Sequence, residues 1–398
     1  MIEKYKNIVT KPSLIFLAVF YTFYFSEVIL SWPLLRHMGI RGGRNFEDLY
    51  AILGAAKCQP PSFIPGTNNP CIFPYGSTLH GVLRINPFPL ELWNIFGWVL
   101  IGLIGVLLYF VSKLNSMSSH WVTSLYVVTF CSPPVILLLE RGNFDTVMVL
   151  IICFAGYCLG IGKQGVGVFL LIISALFKFY TLPLLFIPLM LSNRVRIRIF
   201  SFVGLIASIT TVWIDREVIS SGTHIGAFAA FGTPVYGSYL NKLDHKIHLS
   251  YSNSHIFGLI AFAISVVCGL YLLRKKWIFL PEQSVCRPSD DFTPGEWIYV
   301  LTASTTISCF MLSNNFDYRL IYILITGVMY LKLYSLNRKQ MVFAVFTIIG
   351  VAWMNYDVWS LEPFGNTILF FGLAIITIDL YIHYFRKSNF GVLNFSKK

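Results

Sequence analysis

Charge is the scarcest property of this sequence. Only 12% of its 398 residues are Asp, Glu, Lys or Arg, while 56% are hydrophobic. Soluble globular domains carry about 25% charged residues, so the composition excludes a water-soluble protein and predicts a polytopic membrane protein. The formal net charge is nevertheless +12. Membrane proteins collect Lys and Arg in their cytoplasmic loops, so we attribute this excess to membrane orientation and expect no nucleic-acid partner.

Motifs that hold metal ions are also lacking. The eight cysteines show no Cys-x-x-Cys spacing, and the sequence contains no Asp-x-Asp pair. Most cysteines lie in apolar stretches, where a buried thiol is usually a packing residue. We therefore expect no metal and no other cofactor.

Apolar stretches recur along the whole chain. The first one is too long for a signal peptide, and residues 27–30 (Glu-Val-Ile-Leu) offer no cleavage site between small residues, so we expect it to be a membrane span. Because a span needs about 20 apolar residues, we predict spans at 12–35, 92–111, 121–139, 146–162, 164–177, 179–193, 199–214, 255–273, 297–312, 320–336, 341–356 and 366–385. The predicted fold class is an all-α polytopic membrane protein, a single domain over 1–398 with about 11–12 transmembrane helices.

The distribution of Lys and Arg sets the orientation of these spans. Basic residues are commoner in alternate loops when both termini are placed in the cytoplasm. The region 164–193 is the critical one, since its two short apolar halves flank Lys178 and the second half contains Pro183 and Pro188. Two half-length helices or a re-entrant hairpin both preserve the orientation of the later loops, and such interrupted helices are tolerated where they line a cavity.

This orientation puts the polar features on the outer side. A large first loop, 36–91, and a second one, 215–254, are extracytoplasmic, whereas 274–296 is a cytoplasmic loop. The run Glu-Arg-Gly-Asn-Phe-Asp at 140–145 lies between two apolar stretches on the outer side. A charged side chain inside a bilayer costs about 3 kcal/mol on insertion scales, so such residues usually face a wet cavity or a ligand.

The first outer loop contains one apolar stripe. Phe46, Leu49, Tyr50 and Leu53 recur at helical spacing, which predicts a helix along the membrane surface with Asp48 near the headgroups. Further along this loop, Cys58 and Cys71 bracket a Pro- and Gly-rich stretch, and in an oxidising compartment they could pair.

Three features together resemble a known family. They are an acidic residue in the first outer loop, the segment 140–145 after the third span, and Lys178-Phe179-Tyr180 followed by Pro183. This pattern is similar to the C-type, multi-spanning glycosyltransferases (GT-C), in particular to the polyprenol-phosphate-mannose-dependent mannosyltransferases, and the resemblance covers most of the chain. One departure is that this branch often carries Tyr-Pro-Pro late in the first loop, where this chain has Phe-Pro-Tyr-Gly at 73–76.

The resemblance implies a GT-C-like bundle and a reaction. An inverting enzyme would move one sugar, mannose or another hexose, from a polyprenyl-phosphate donor to a lipid or glycan acceptor. The active site would be extracytoplasmic, and surrounding lipids would be those of a bacterial plasma (inner) membrane. Because the phosphate is a good leaving group, the chemistry requires one base and cations that stabilise the departing phosphate.

Candidate residues for these roles follow from their positions. We predict Asp48 as the catalytic base, although it could instead be an ordinary surface carboxylate; Glu47, its neighbour, points about 100° away on a helix. The predicted donor-phosphate ligands are Arg141, Lys178 and Arg319. Arg141 and Lys178 could equally form internal ion pairs with Glu140 or Asp145, and Arg319 could anchor a span at the interface.

A further group is predicted to bind substrate or to orient the residues above. Its members are Glu140, Asn143, Asp145, Tyr180, Asp317, Tyr318 and His255. Asp145 is as readily a structural partner of a cation, and any single tyrosine can serve in the interfacial aromatic belt. We expect transfer without a metal ion, although some enzymes of the general class use a divalent one.

Two other functions compete with this one. A surface-polysaccharide polymerase or ligase would use a glycan linked to a lipid diphosphate. A secondary transporter would place ionisable groups near the membrane midplane. Here they gather at the outer ends of the predicted spans, with Glu27 and Asp379 as exceptions inside apolar stretches. A non-catalytic scaffold would leave the outer charges without a role.

Overall fold

The computed structural model describes most of the apolar stretches and parts of the loops. The described residues are 11–30, 46–56, 77–85, 89–114, 120–216, 230–231, 250–274, 292–312, 315–334, 336, 338–354 and 362–385. The predicted pairing of Cys58 with Cys71 and the segment 73–76 lie outside these residues, as do most of the predicted loops 36–91, 215–254 and 274–296.

Nearly all of the described residues are helical. The helices of the N-terminal half are α1 (Lys11–Leu30), α2 (Glu47–Ala55), α3 (Ser77–Ile85), α4 (Trp93–Leu114, preceded by a 3-10 turn Leu90–Leu92), α5 (His120–Phe130), α6 (Pro133–Glu140), α7 (Asp145–Gly160), α8 (Gln164–Phe177), α9 (Phe186–Leu191, preceded by a 3-10 helix Phe179–Leu185) and α10 (Val195–Ile214). The later helices are α11 (Tyr251–Arg274), α12 (Pro294–Leu312), α13 (Ile321–Leu333, preceded by a 3-10 turn Asp317–Leu320), α14 (Arg338–Met354) and α15 (Glu362–Leu380, continued by a π-helical turn Tyr381–Phe385). Each predicted apolar stretch overlaps one of these helices or helix pairs.

One short β-pairing joins distant parts of the chain. Strand β1 (Ala230–Phe231) pairs antiparallel with β2 (Asn315–Phe316). The pairing brings part of the predicted second outer loop beside the start of the 3-10 turn that contains Arg319.

The helices are those of an all-α membrane protein. Within the described residues, four helical segments are long and apolar enough to cross a membrane: Leu90–Leu114, Val195–Ile214, Ser252–Tyr271 and Phe364–Tyr384. A fifth span results if the bent pair Val122–Phe130 and Pro133–Glu140 counts as one. Six shorter apolar helices of 10–17 residues accompany them.

The bend between α5 and α6 has a local cause. The two helices meet at 53°, and the break is followed by Pro133 and Pro134. Proline lacks an N–H group and its ring clashes with the preceding turn, so α5 cannot continue through this point. Ser132 has an extended backbone there, and its hydroxyl donates to the carbonyl oxygen of Thr129 at 2.6 Å.

Helix α7, helix α8 and the 3-10 helix Phe179–Leu185 are successively antiparallel. Lys178 is close to Asp145 at one end, with 3.3 Å between Nζ and Oδ1. Gln164 and Ser192 meet at the opposite end, where their side chains are 3.4 Å apart. The region 164–193 is therefore a hairpin of two short helical arms with Lys178 at its tip, and we call the end of the bundle that contains this tip the Asp145 end.

Helix α12 lies at the centre of the bundle. It packs against α7, α13 and the 3-10 helix Phe179–Leu185, and it is not among the segments apolar enough to count as a span. Its buried threonines donate to carbonyl oxygens one turn earlier, as Thr305 does to Leu301 at 2.7 Å. Satisfied in this way, the hydroxyl groups can be buried without a large desolvation penalty.

Candidate functional site

Helix α2 is fixed to the turn between α6 and α7 by backbone hydrogen bonds. The N–H group of Phe46 donates to the carbonyl oxygen of Glu140 at 2.6 Å, and that of Asp48 donates to Arg141 at 3.0 Å. The first N–H groups of a helix have no partner within it, so these carbonyl groups satisfy them. The docking holds Asp48 and Arg141 side by side although they are 93 positions apart.

Two tight backbone conformations make this docking possible. Gly142 has φ +58° and Phe46 has φ 59°, both in the left-handed region. A Cβ on Gly142 would come within 3.0–3.2 Å of Phe46 and Leu49. The ring of Phe46 is fully buried and occupies the space where Gly97 lacks a side chain, so glycine is required at both contact points.

The carboxylate of Asp48 is held by two neighbours. Arg141 donates from Nε and Nη2 to Oδ1 at 2.9 and 2.6 Å. Asn143 donates from Nδ2 to Oδ2 at 2.8 Å, and its own Oδ1 accepts the backbone N–H of Asp145 at 2.9 Å. The side chains of Arg141 and Asp48 are 38% and 19% exposed, so this pair is accessible from outside the bundle.

Asp145 is the centre of a second, buried group of charges. Its carboxylate is fully buried and lies 3.3 Å from Nζ of Lys178 and 3.0 Å from Nε of Arg319. The hydroxyl of Tyr180 donates to the same carboxylate. Burying a lone carboxylate is costly, and these partners compensate for it. The bond from Asp145 to Asn143 joins the two groups into one network.

Two tyrosines support this buried group. Arg319 lies over the ring of Tyr180, 4.7 Å from its centre, an arrangement that favours a cation. The hydroxyl of Tyr322 is 3.2 Å from that of Tyr180. Tyr322 is not among the predicted site residues, and the only indication in the sequence is its position three residues after Arg319 on the same helical face.

The network contains three cations. Arg141 pairs with Asp48, and Lys178 and Arg319 both pair with Asp145. Burial lowers the pKa of Lys178 to about 8, against the opposing attraction of Asp145. Lys178 lies in the break between two helical arms, and its ammonium group is the titratable cation of the set.

The remaining predicted residues are placed as follows. Glu140 ends α6 and contributes its backbone carbonyl to the docking of α2. Arg141 forms an ion pair with Asp48, a partner other than the two considered for it in the sequence. His255 lies in the first turns of α11, which packs on α15. Asp317 and Tyr318 belong to the 3-10 turn, but their side chains lie outside the described part of the structure.

The described residues contain no group of three or more His, Cys, Asp or Glu side chains that could hold a metal ion. The charged groups of the site are the side chains named above.

A second buried carboxylate lies at the opposite end of the bundle. Tyr299 and Tyr334 both donate to Oδ2 of Asp379 at 2.7 Å. His383 is one helical turn further, with 3.7 Å between its Nε2 and Oδ1 of Asp379. Ionisable side chains buried among membrane helices are rare and often belong to substrate, ion or proton pathways.

Comparisons with known proteins identify no relative: no family model, no curated protein and no solved structure matches this chain.

Proposed function

We propose that this protein is a membrane glycosyltransferase. It transfers a single sugar, mannose or another hexose, from a polyprenyl-phosphate donor to a lipid or glycan acceptor on the extracytoplasmic side. The proposal extends to a GT-C-like bundle of about 11–12 crossings, in which the shorter apolar helices accompany the longer spans. The setting is a bacterial plasma membrane with both termini in the cytoplasm.

One observation supports the proposal best. Asp48, Arg141 and the buried Asp145 group, which come from distant segments, form a single bonded network at one end of the bundle. The network combines a partly exposed carboxylate with three cations, which are the groups that a base and a phosphate site require.

The reaction is a single displacement. The acceptor hydroxyl oxygen attacks the anomeric carbon of the donor sugar while its proton passes to the carboxylate of Asp48. The bond between the anomeric carbon and the phosphate oxygen breaks, and its electron pair stays on the phosphate. The products are the glycosylated acceptor, with inverted anomeric configuration, and polyprenyl phosphate.

The positive groups stabilise the departing phosphate. Arg141 offers a planar fork of N–H donors that fits phosphate oxygens. Arg319 and Lys178 are more deeply buried and supply further positive charge. Lys178 is only 5% exposed, so its contribution is that of a charge near the phosphate rather than a direct ligand. Such preorganised donors are typically worth about 10²- to 10³-fold in rate.

The test is an in vitro transfer assay with the purified full-length chain. A panel of farnesyl-phosphate sugars, each with a single hexose, is offered with a lipid extract as acceptor. We expect the wild type to release farnesyl phosphate and to form a glycosylated lipid. We expect Asp48→Asn to lower turnover at least about 100-fold, because an amide cannot take the acceptor proton, while the thermal midpoint stays near that of the wild type.

Other outcomes would favour the competing functions. Turnover retained by Asp48→Asn would remove Asp48 as the base. Activity only with glycans on a lipid diphosphate would point to a polymerase or ligase. Uptake of solute by proteoliposomes without a chemical product would favour a transporter, provided that Asp379→Asn abolishes the uptake. The buried Asp379 cluster is the observation that favours testing this second candidate.

A further inference from the structure

Both oxygens of the Asp48 carboxylate are engaged in this structure. Oδ1 accepts two N–H groups of Arg141, and Oδ2 accepts one from Asn143. A carboxylate oxygen has two lone pairs, and the two N–H groups of Arg141 occupy both of those on Oδ1. An acceptor hydroxyl can therefore donate to Oδ1 only after the guanidinium has moved away.

The backbones of the two residues cannot separate easily. The N–H groups of Asp48 and Leu49 donate to the carbonyl oxygen of Arg141 at 3.0 and 3.4 Å. The turn at Gly142 is packed against α2 with no room for a Cβ. The guanidinium can therefore leave the carboxylate only by a change of side-chain rotamer, which leaves Asp48 in place.

Arg141 is also the cation that an incoming anion meets first. Its side chain is 38% exposed, against 16% for Arg319 and 5% for Lys178. Arg319 and Lys178 are both bonded to the fully buried Asp145, which has only these cations as charged partners among the described side chains. A phosphate placed beside Arg141 would compete with Asp48 for the Nε and Nη2 donors that now bind Oδ1.

We infer that Arg141 is a donor-responsive clasp on Asp48. The phosphate group of a prenyl-phosphate donor competes for the guanidinium, draws it away from Oδ1 and so releases Asp48 to act as the base. The base is then available only when the donor is bound, which orders the reaction with the donor first. This inference rests on the proposed function, since it assigns a regulation to the same site.

The test measures binding of farnesyl phosphate rather than turnover. Isothermal titration on the purified full-length chain compares the wild type, Asp48→Asn, Arg141→Ala and the double variant. We expect Asp48→Asn to bind farnesyl phosphate about twofold to fivefold more tightly, the range that release from a partly exposed ion pair allows. Arg141→Ala should bind more weakly, and adding Asp48→Asn to it should change nothing further.

A matched control separates the clasp from a general effect of charge. Glu91 is exposed and lies in the 3-10 turn that packs against α2. Glu91→Gln removes one negative charge near the site without touching Arg141, so we expect its affinity for farnesyl phosphate to equal that of the wild type.

Several outcomes would overturn the clasp. They are affinity that is unchanged or weaker in Asp48→Asn, tighter binding that persists when Arg141 is also replaced, and equal tightening by Glu91→Gln. If Asp48→Asn does not fold, Asp48→Ser takes its place, and failure of both variants to fold makes the pair structural and removes the clasp. If the wild type binds farnesyl phosphate and transfers sugar but the variants show no coupling, only the clasp is rejected. If the wild type neither binds farnesyl phosphate nor transfers sugar, the proposed function is rejected as well.

Discussion

At the residue scale, the sequence predicts which side chains meet but not how they pair. Charged groups between apolar stretches are costly in a bilayer, and for that reason Asp48, Arg141 and Lys178 could be expected to share one polar site. Their partners depend on chain geometry that no local pattern encodes. Arg141 is bonded to Asp48, 93 positions away, because α2 docks on the turn that contains Arg141.

Tyr322 illustrates the other limit of sequence reasoning. It is one of 21 tyrosines and lies in the first turn of a mostly apolar helix, where an aromatic residue is most often a core residue. Only the position of Tyr180, 142 residues earlier in the chain, makes it part of the site. No spacing within the chain could have shown this contact.

The lowered pKa of Lys178 leads to a prediction about pH. Because the pKa is about 8 in the folded protein instead of the usual 10.5, the ammonium loses its proton as pH rises through about 8, and the affinity for farnesyl phosphate should fall over the same range. Phosphate monoesters are already fully ionised there. Titrations above and below this pH check the expectation.

The same shift has an opposite effect on stability. Between about pH 8 and pH 10.5 the unfolded chain binds more protons at Lys178 than the folded protein does, so this group's contribution to the free energy of unfolding increases with pH.

In Lys178→Arg the charge persists, and the affinity for farnesyl phosphate should not decline above pH 8. In Lys178→Met affinity should be low at every pH. A wild type with no decline would contradict the role of Lys178 as a titrating cation.

At the element scale, helix positions are predicted better than helix docking. Each apolar stretch identified in the sequence overlaps a helix, and the short arms on either side of Lys178 fold as a hairpin. Of the predicted apolar stripe, Leu49 and Leu53 are buried in α2, Phe46 is buried just before it, and Tyr50 is half-buried. The head-to-tail docking of α2 on α6 could not be predicted, because it depends on the left-handed conformations of Phe46 and Gly142.

Replacing Gly142 tests the docking of α2. Gly142→Ala should lower the free energy of unfolding by about 1–2 kcal/mol through left-handed strain, and the added Cβ should press on Phe46 and Leu49. We therefore expect weaker farnesyl phosphate binding as well as a lower thermal midpoint.

Gly162→Ala is the matched control for that variant. Gly162 also has a positive φ, +80°, but a Cβ there would meet nothing within 4 Å, and it lies at the opposite end from the site. It should lose stability and keep its affinity for farnesyl phosphate. Equal loss of affinity in both variants would mean that the turn at Gly142 has no special connection to the site.

At the scale of the whole molecule, the alternation of helices determines which groups share one side of the membrane. Contacts between Asp145 and Lys178, between Ser77 and Asp215, and between Ala230 and Phe316 all join segments assigned to the outer side. Gly160 and Pro294 are in close contact at the other end. These pairs agree with one alternating path, although apolar length alone identifies only four or five spans in the described residues.

Labelling of single cysteines tests this path. Glu91 and Lys163 are both exposed, and α4, the bent pair α5–α6 and α7 lie between them. If the bent pair crosses the membrane once, the number of crossings is odd and the two positions are on opposite sides. In a background without the eight native cysteines, an impermeant maleimide added to intact cells should label Glu91→Cys but not Lys163→Cys. Labelling of both would show that the bent pair re-enters instead of crossing.

The bond between Arg319 and Asp145 has a consequence for biogenesis. These residues are 174 positions apart, so Asp145 is synthesised and inserted long before its second cation exists. During translation the carboxylate has Lys178 as the earlier of its two cationic partners, and the ionic centre closes only when the helices after α12 arrive. A chain that stalls before Arg319 would carry a carboxylate that lacks one of its two cationic partners.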